Sequence, residues 1–159
     1  MFGQYGEVTN SKTLAKIIVQ QRAITTLKTI SGFKQAVQAV VKGNPQKYFA
    51  QVFQALRIEV NDELGALKEL LQQSITLLKP SGRIAIITFH SLEDRIVKFF
   101  FRAGTFAEAE AEVDEVYGNK ISSPLLLVNK KPITASEAEL KLNPRSRSAK
   151  LRVAEKKPV

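Results

Sequence analysis

Ile84-Ala85-Ile86-Ile87-Thr88-Phe89-His90-Ser91-Leu92-Glu93-Asp94 is the stretch that decides the fold class. Its first six residues are a short, nearly continuous apolar run rich in β-branched side chains, set off from the preceding helical pattern by Pro80-Ser81-Gly82. That composition predicts a strand over residues 84–89. The run lacks polar alternation, so the strand is expected to be parallel, internal and covered on both faces. Ser91-Leu92-Glu93-Asp94 then has the form of a capping box, with Ser91 and Asp94 each taking a free backbone N–H at the start of a helix over about 92–102. A helix, a strand and a second helix in this order place the chain in the α/β class.

Upstream, Phe49, Phe53, Leu56, Val60, Leu64, Leu67, Leu71, Ile75 and Leu78 recur by fours and threes. This is the spacing of one helical face, and it predicts a long helix over 46–79 started by Asn44-Pro45. Gly65 weakens that helix, so a break between Asn61 and Gly65 is allowed. Nearer the start, Asn10 or Ser11 caps a helix carrying Leu14, Ile17 and Ile18. Thr25 or Thr26 is expected to cap a short helix to Ile30 that Gly32 interrupts, after which Phe33, Val37, Val40 and Val41 resume helical spacing. Downstream, residues 125–128 and 149–154 read as strands, with a short helix capped by Thr134 or Ser136 between them. About three strands are too few for a strand covered on both faces, so the rest of a larger sheet is expected outside this chain.

The 159 residues and 44% hydrophobic content suit one folded domain with a sizeable core. Cys is absent, which excludes disulfides and thiolate chemistry, and His90 is the only histidine, which argues against a protein-built zinc site; no metal is expected. No apolar run approaches the ~18 residues of a membrane span, and the first residues lack the pattern of a secretory signal, so a cytoplasmic location is expected. The net charge of +9 points to an anionic partner. From Lys141 onward there are seven basic residues against Glu155 alone, a candidate phosphate-contacting surface or a solubilising terminus. Residues 107–115 carry five acids and no base, and read as a solvated loop or loose helical excursion that avoids nucleic acid.

In open α/β sheets, ligands gather beyond the carboxyl ends of strands. His90 and Ser91 occupy that position with Glu93 and Asp94: His90 can contact a base or phosphate, or be a satisfied residue beside a plain cap. Arg57 and Asn61, four apart on one helical face, can approach a ligand or simply pair with a neighbour. Arg145, Arg147 and Lys150 interleave with Ser before a strand, a chemistry suited either to gripping phosphate oxygens or to holding two elements together. The glycines never form a glycine-rich turn between a strand and a helix, so a complete cofactor site is not expected here.

Five runs together carry a resemblance: Phe53-Gln54-Ala55-Leu56-Arg57-Ile58, Val60-Asn61-x-Glu63-Leu64, Phe89 to Lys98, Lys131-Pro132-Ile133-Thr134 and Asn143 to Glu155. In this order they resemble the ribosomal RNA small-subunit methyltransferase H (MraW) family, and Tyr5-Gly6-Glu7 resembles an earlier point of the same enzymes. The resemblance implies a class I, Rossmann-like methyltransferase sheet with a helical insertion. Residues 1–43 would be part of that insertion, and 44–159 the C-terminal part of the catalytic domain. It further implies methyl transfer from S-adenosyl-L-methionine (AdoMet) to the N4 of a cytidine in 16S rRNA of the small ribosomal subunit. The family's glycine-rich donor loop and acidic acceptor motif precede the region matched. No catalytic or cofactor-binding residue is therefore carried over, and this chain alone is expected to be inactive. His90, Ser91, Arg57, Asn61, Arg145, Arg147 and Lys150 are the candidates for the RNA side of the cleft. Pro80-Ser81-Gly82 also resembles a helix-to-strand junction common in these enzymes, where the position of Ser81 is often Gly. The competing readings are a non-catalytic RNA-binding module working through the basic C-terminal segment, and a structural helical adaptor.

Overall fold

The structure, a computed structural model, describes residues 1–104, 106 and 123–158; the acidic stretch at 107–115 lies outside them. The chain divides into two compact units, Met1–Glu63 and Leu64–Val159.

The first unit is helical: α1 (Phe2–Gly6), α2 (Ser11–Ile24), α3 (Ile30–Val37), a 3-10 turn (Gln38–Val40) and α4 (Pro45–Asn61). Asn44 caps α4 by accepting the Lys47 N–H at 3.1 Å, and Pro45 occupies the first turn, where its missing N–H costs nothing. The cap of α3 is Thr29, whose Oγ1 accepts the Gly32 N–H at 3.0 Å. The expectation of a helix capped by Thr25 or Thr26 and interrupted at Gly32 is therefore corrected. Gly32 sits in the first turn of α3, where a missing side chain harms the helix least. Leu14, Val37, Val52 and Ala55 are fully buried in the core with Phe2, Val8, Tyr48 and Phe49. Each fully buried aliphatic side chain stabilises the unit by roughly 1.5–3 kcal/mol. Asn10 is the polar pin of this core: its Nδ2 donates to Val40 O at 2.7 Å and its Oδ1 accepts from the Tyr48 hydroxyl at 3.0 Å.

The long helix expected over 46–79 is two helices. Asp62 adopts the left-handed conformation (φ 47°, ψ 44°) and ends α4; α5 begins at Glu63 and runs to Leu77. A short polar residue tolerates that conformation better than an apolar one, which places the break within the window that Gly65 allowed.

In the second unit β1 (Arg83–Thr88) is followed by α6 (Ser91–Ala103), β2 (Leu125–Leu127), β3 (Ile133–Thr134), α7 (Glu137–Leu142), a 3-10 turn (Pro144–Ser148) and β4 (Lys150–Lys156). The α/β class holds, with the two-residue β3 added to the three strands expected. The strand order is β1-β4-β2, with β3 also on β4, and every pairing is antiparallel. Among the described residues β1 pairs only with β4, and antiparallel, so the neighbour that would make residues 84–89 an internal parallel strand is not within them. Nor is β1 covered on both faces. Ile84, Ile86 and Thr88 turn toward α5 and α6, while Arg83, Ala85 and Ile87 are exposed, Ile87 by 58%.

Register then fixes which β4 side chains share the helix-covered face. Ile84, Ile86 and Thr88 lie opposite Ala154, Arg152 and Lys150, and residues directly opposite point the same way. Leu71, Ile96, Val97, Phe100, Phe101, Leu125 and Ala154 fill the core between helices and sheet. Lys156 extends the same face to the end of α5, where its ammonium donates to Ile75 O (2.7 Å) and Leu78 O (2.8 Å). A cation there satisfies carbonyls that α5 leaves unpaired and suits the negative end of its dipole.

Candidate nucleic-acid interface

The passage from β1 to α6 is held by a reciprocal cap. His90 is the capping residue: its Nδ1 accepts the Glu93 N–H at 3.4 Å, and Glu93 Oε2 accepts the N–H groups of Phe89 (2.9 Å) and His90 (3.3 Å). The box predicted on Ser91 and Asp94 is therefore shifted back by one residue. With Nδ1 accepting, the other ring nitrogen, Nε2, is buried with no hydrogen-bond partner among the described residues and lies 3.4 Å from Glu93 Oε1. Through Nδ1, His90 positions the start of α6.

The shift frees Asp94 for another bond. Arg152 Nε and Nη2 donate to its two carboxylate oxygens at 2.7 and 3.2 Å, and Lys150 Nζ donates to Oδ2 at 3.3 Å. Burial pushes the Asp94 pKa up, but the Arg152 hydrogen bonds and charge, with Lys150 behind them, outweigh it and hold the carboxyl below the usual aspartate value. Asp94 thus fastens α6 to β4 and pairs with two of the seven tail cations from within, offsetting the charge of one. Lys156 is a third tail residue whose charge serves an internal bond. The basic C-terminal segment is in part a structural element.

A group of open cations lies around the start of α6. Ser91, Asp94, Arg95 and Lys98 fall on one helical face, opposite the one that buries Ile96, Val97, Phe100 and Phe101. With Phe99 and Lys150 they line a cavity of about 300 Å3. Arg145 and Arg147 are exposed on the 3-10 turn that leads into β4 just before Lys150, a turn closed by the Ser146 hydroxyl donating to Asn143 O at 2.7 Å. Of the sequence candidates, then, Ser91 and Lys150 meet in one cavity, and Arg145 and Arg147 stand on the segment next to Lys150. Arg57 and Asn61 belong to the first unit and turn to Glu63. Arg57 Nε and Nη2 meet its carboxylate at 2.7 and 3.1 Å, and Asn61 Nδ2 lies 3.5 Å from Oε1. Arg95 and Lys98 were missed as site residues; their spacing of four and seven from Ser91 is the signal that would have found them.

Comparison with known proteins finds relatives along almost the whole chain. A family model described as the MraW methylase family matches residues 1–157. Proteins named "Ribosomal RNA small subunit methyltransferase H" are similar along almost the whole chain. The one from Azobacteroides pseudotrichonymphae genomovar. CFP2 is 55% identical over 157 residues, covering 98% of this chain and 51% of that protein. Those from Amoebophilus asiaticus (strain 5a2) and Parabacteroides distasonis are 50% and 48% identical, each with 98% of this chain and 50% of the relative covered. The chain spans about half the length of the curated relatives it matches.

Proposed function

The chain belongs to the MraW methylase family, and from that premise we propose that the whole protein transfers a methyl group from AdoMet to the N4 of a cytidine in 16S rRNA, in the cytoplasm. The observation that carries this reading is the match along residues 1–157 to relatives that are named as small-subunit rRNA methyltransferases. The Rossmann-like fold of the family is consistent with β1 as a strand of a larger sheet whose remaining strands lie outside the matched half. The division into residues 1–43 as part of a helical insertion and 44–159 as catalytic-domain residues is part of the same proposal.

The residues present do not fit the methyl donor. β1 passes to α6 through Phe89 and His90, and among the described residues no glycine-rich turn lets a nucleotide approach the backbone. What this half supplies instead is the cation-rimmed end of the sheet, the side from which a phosphate backbone would be held. We therefore assign it to substrate binding, and the chain alone does not transfer methyl groups. The edge of β1 that is left unpaired among the described residues, next to exposed Ile87 and Phe89, is a template for strand pairing, and in isolation the chain self-associates there. A clean monomer in light scattering at high concentration would refute that point.

The test of function is the rRNA itself. Deleting the gene that encodes this chain should remove N4-methylcytidine from 16S rRNA, as read by nucleoside mass spectrometry, and restoring the whole reading frame should return it. An unchanged level of the modified nucleoside in the deletion strain would refute the assignment.

A further inference from the structure

We propose that the cavity lined by Ser91, Asp94, Arg95, Lys98, Phe99 and Lys150 is a phosphate-binding site that grips a phosphodiester of the RNA strand, with Arg95 and Lys98 as its principal contacts. The proposal rests on the reading of the protein as an RNA-modifying enzyme and names where on this chain the strand is held.

Three observations carry it. First, the cations are available. Arg95 makes no hydrogen bond or ion pair with the described residues, and the Lys98 ammonium meets only the ring of Phe99, 5.3 Å from its centroid. Both side chains are exposed on the wall of a concavity, where an anion has donors on several sides. Second, the acid in the lining does not oppose an anion. The Asp94 charge is met from behind by two Arg152 hydrogen bonds and from the side by Lys150, so Arg95 and Lys98 remain in excess. Third, the ends of two elements converge on the cavity: Ser91 brings a hydroxyl and the start of α6, a 13-residue helix, while Lys150 opens β4 directly after the turn bearing Arg145 and Arg147. A strand with one phosphate in the cavity would have its neighbouring phosphates within the field of those two arginines. A merely solvated helix face requires neither the concavity nor the internal neutralisation of its single acid.

The experiment measures binding of the 159-residue chain to a short single-stranded RNA at several salt concentrations. The wild type is compared with the double variant Arg95→Gln/Lys98→Gln and with a control of equal charge change, Lys12→Gln/Lys16→Gln on exposed positions of α2. Circular dichroism verifies that each variant is folded. Losing two phosphate contacts should weaken binding about tenfold or more and reduce the slope of log K against log salt by about 1.4, at ~0.7 per contact on a single strand. The control should lose far less. Equal losses in the two variants would mean long-range charge and no site, and unchanged binding in the Arg95/Lys98 variant would overturn the proposal outright. Inorganic phosphate is the second probe. If it saturates backbone amide shifts around Ser91 while RNA affinity ignores Arg95 and Lys98, the site takes a free anion and the RNA assignment is wrong. The nucleoside measurement on a gene deletion is independent of all these outcomes, so failure here leaves the methyltransferase assignment standing or falling on its own data.

Discussion

Asp94 on α6 and Arg152 on β4, 58 residues apart in sequence, are joined by two hydrogen bonds of 2.7 and 3.2 Å that are largely shielded from water. The pair fixes α6 against the face of the sheet it covers, and with it the position of every residue in the phosphate cavity. Removing one partner leaves the other as a buried, uncompensated charge. Asp94→Ala should therefore destabilise the protein by about 3 kcal/mol, read as a lowered urea midpoint with unchanged slope. A loss of under about 1 kcal/mol would mean that water reaches the pair freely.

The same pair sets an acid limb of stability. Asp94 has its folded pKa depressed, so its contribution is fully present above the unfolded aspartate value of about 3.9 and is lost as pH falls through the folded value. The stability difference between wild type and Asp94→Asn should be constant near neutrality and shrink as pH drops below about 4. A difference that grows in acid would contradict the sign.

Ser81 holds the turn between α5 and β1 in the left-handed region, φ 62°, with its N–H donating to Lys156 O at 3.0 Å. A side chain at that φ costs roughly 1–2 kcal/mol, part of which glycine would return in unfolded-state entropy. Ser81→Gly should raise stability by about 0.5–1 kcal/mol. Thermal unfolding at a lower temperature than wild type would count against this.

Gly6 is required by a close approach within the first unit. A Cβ there would stand 2.5 Å from Gln51 O on α4, so backbone must move to admit it. Gly6→Ala should cost about 2 kcal/mol or more. A variant with wild-type stability would place α1 further from α4 than described.

Glu93 accepts two backbone N–H groups at the entrance to α6. Glu93→Ala should cost about 1 kcal/mol and speed hydrogen exchange at the amides of Phe89 and His90. Protection unchanged at both amides would show that water or another group serves as well.

Much of this was legible in the chain itself. The change of period at Pro80-Ser81-Gly82 located β1, the Asn44-Pro45 pair started α4, and the helix after Phe89-His90 began and ended within one residue of expectation, because each of these depends on interactions within a few residues. The five family runs also identified the family from sequence alone. What could not be read locally was every property set by partners distant in sequence. Whether residues 84–89 pair antiparallel within this chain depends on β4, more than 60 residues away, and the bareness of one face depends on which strands and helices this chain contains. His90 in place of Ser91 as the cap goes together with Asp94 binding Arg152, a partner 58 residues away. The basic tail shows the limit most directly: the sequence counts seven like charges, but only the fold turns Arg152 and Lys156 inward to satisfy a carboxylate and a helix end, leaves Arg145 and Arg147 outside, and brings Lys150 beside Ser91. Charge is a property of the residue, whereas its availability to a ligand depends on which neighbours have already neutralised it, and packing alone chooses those neighbours.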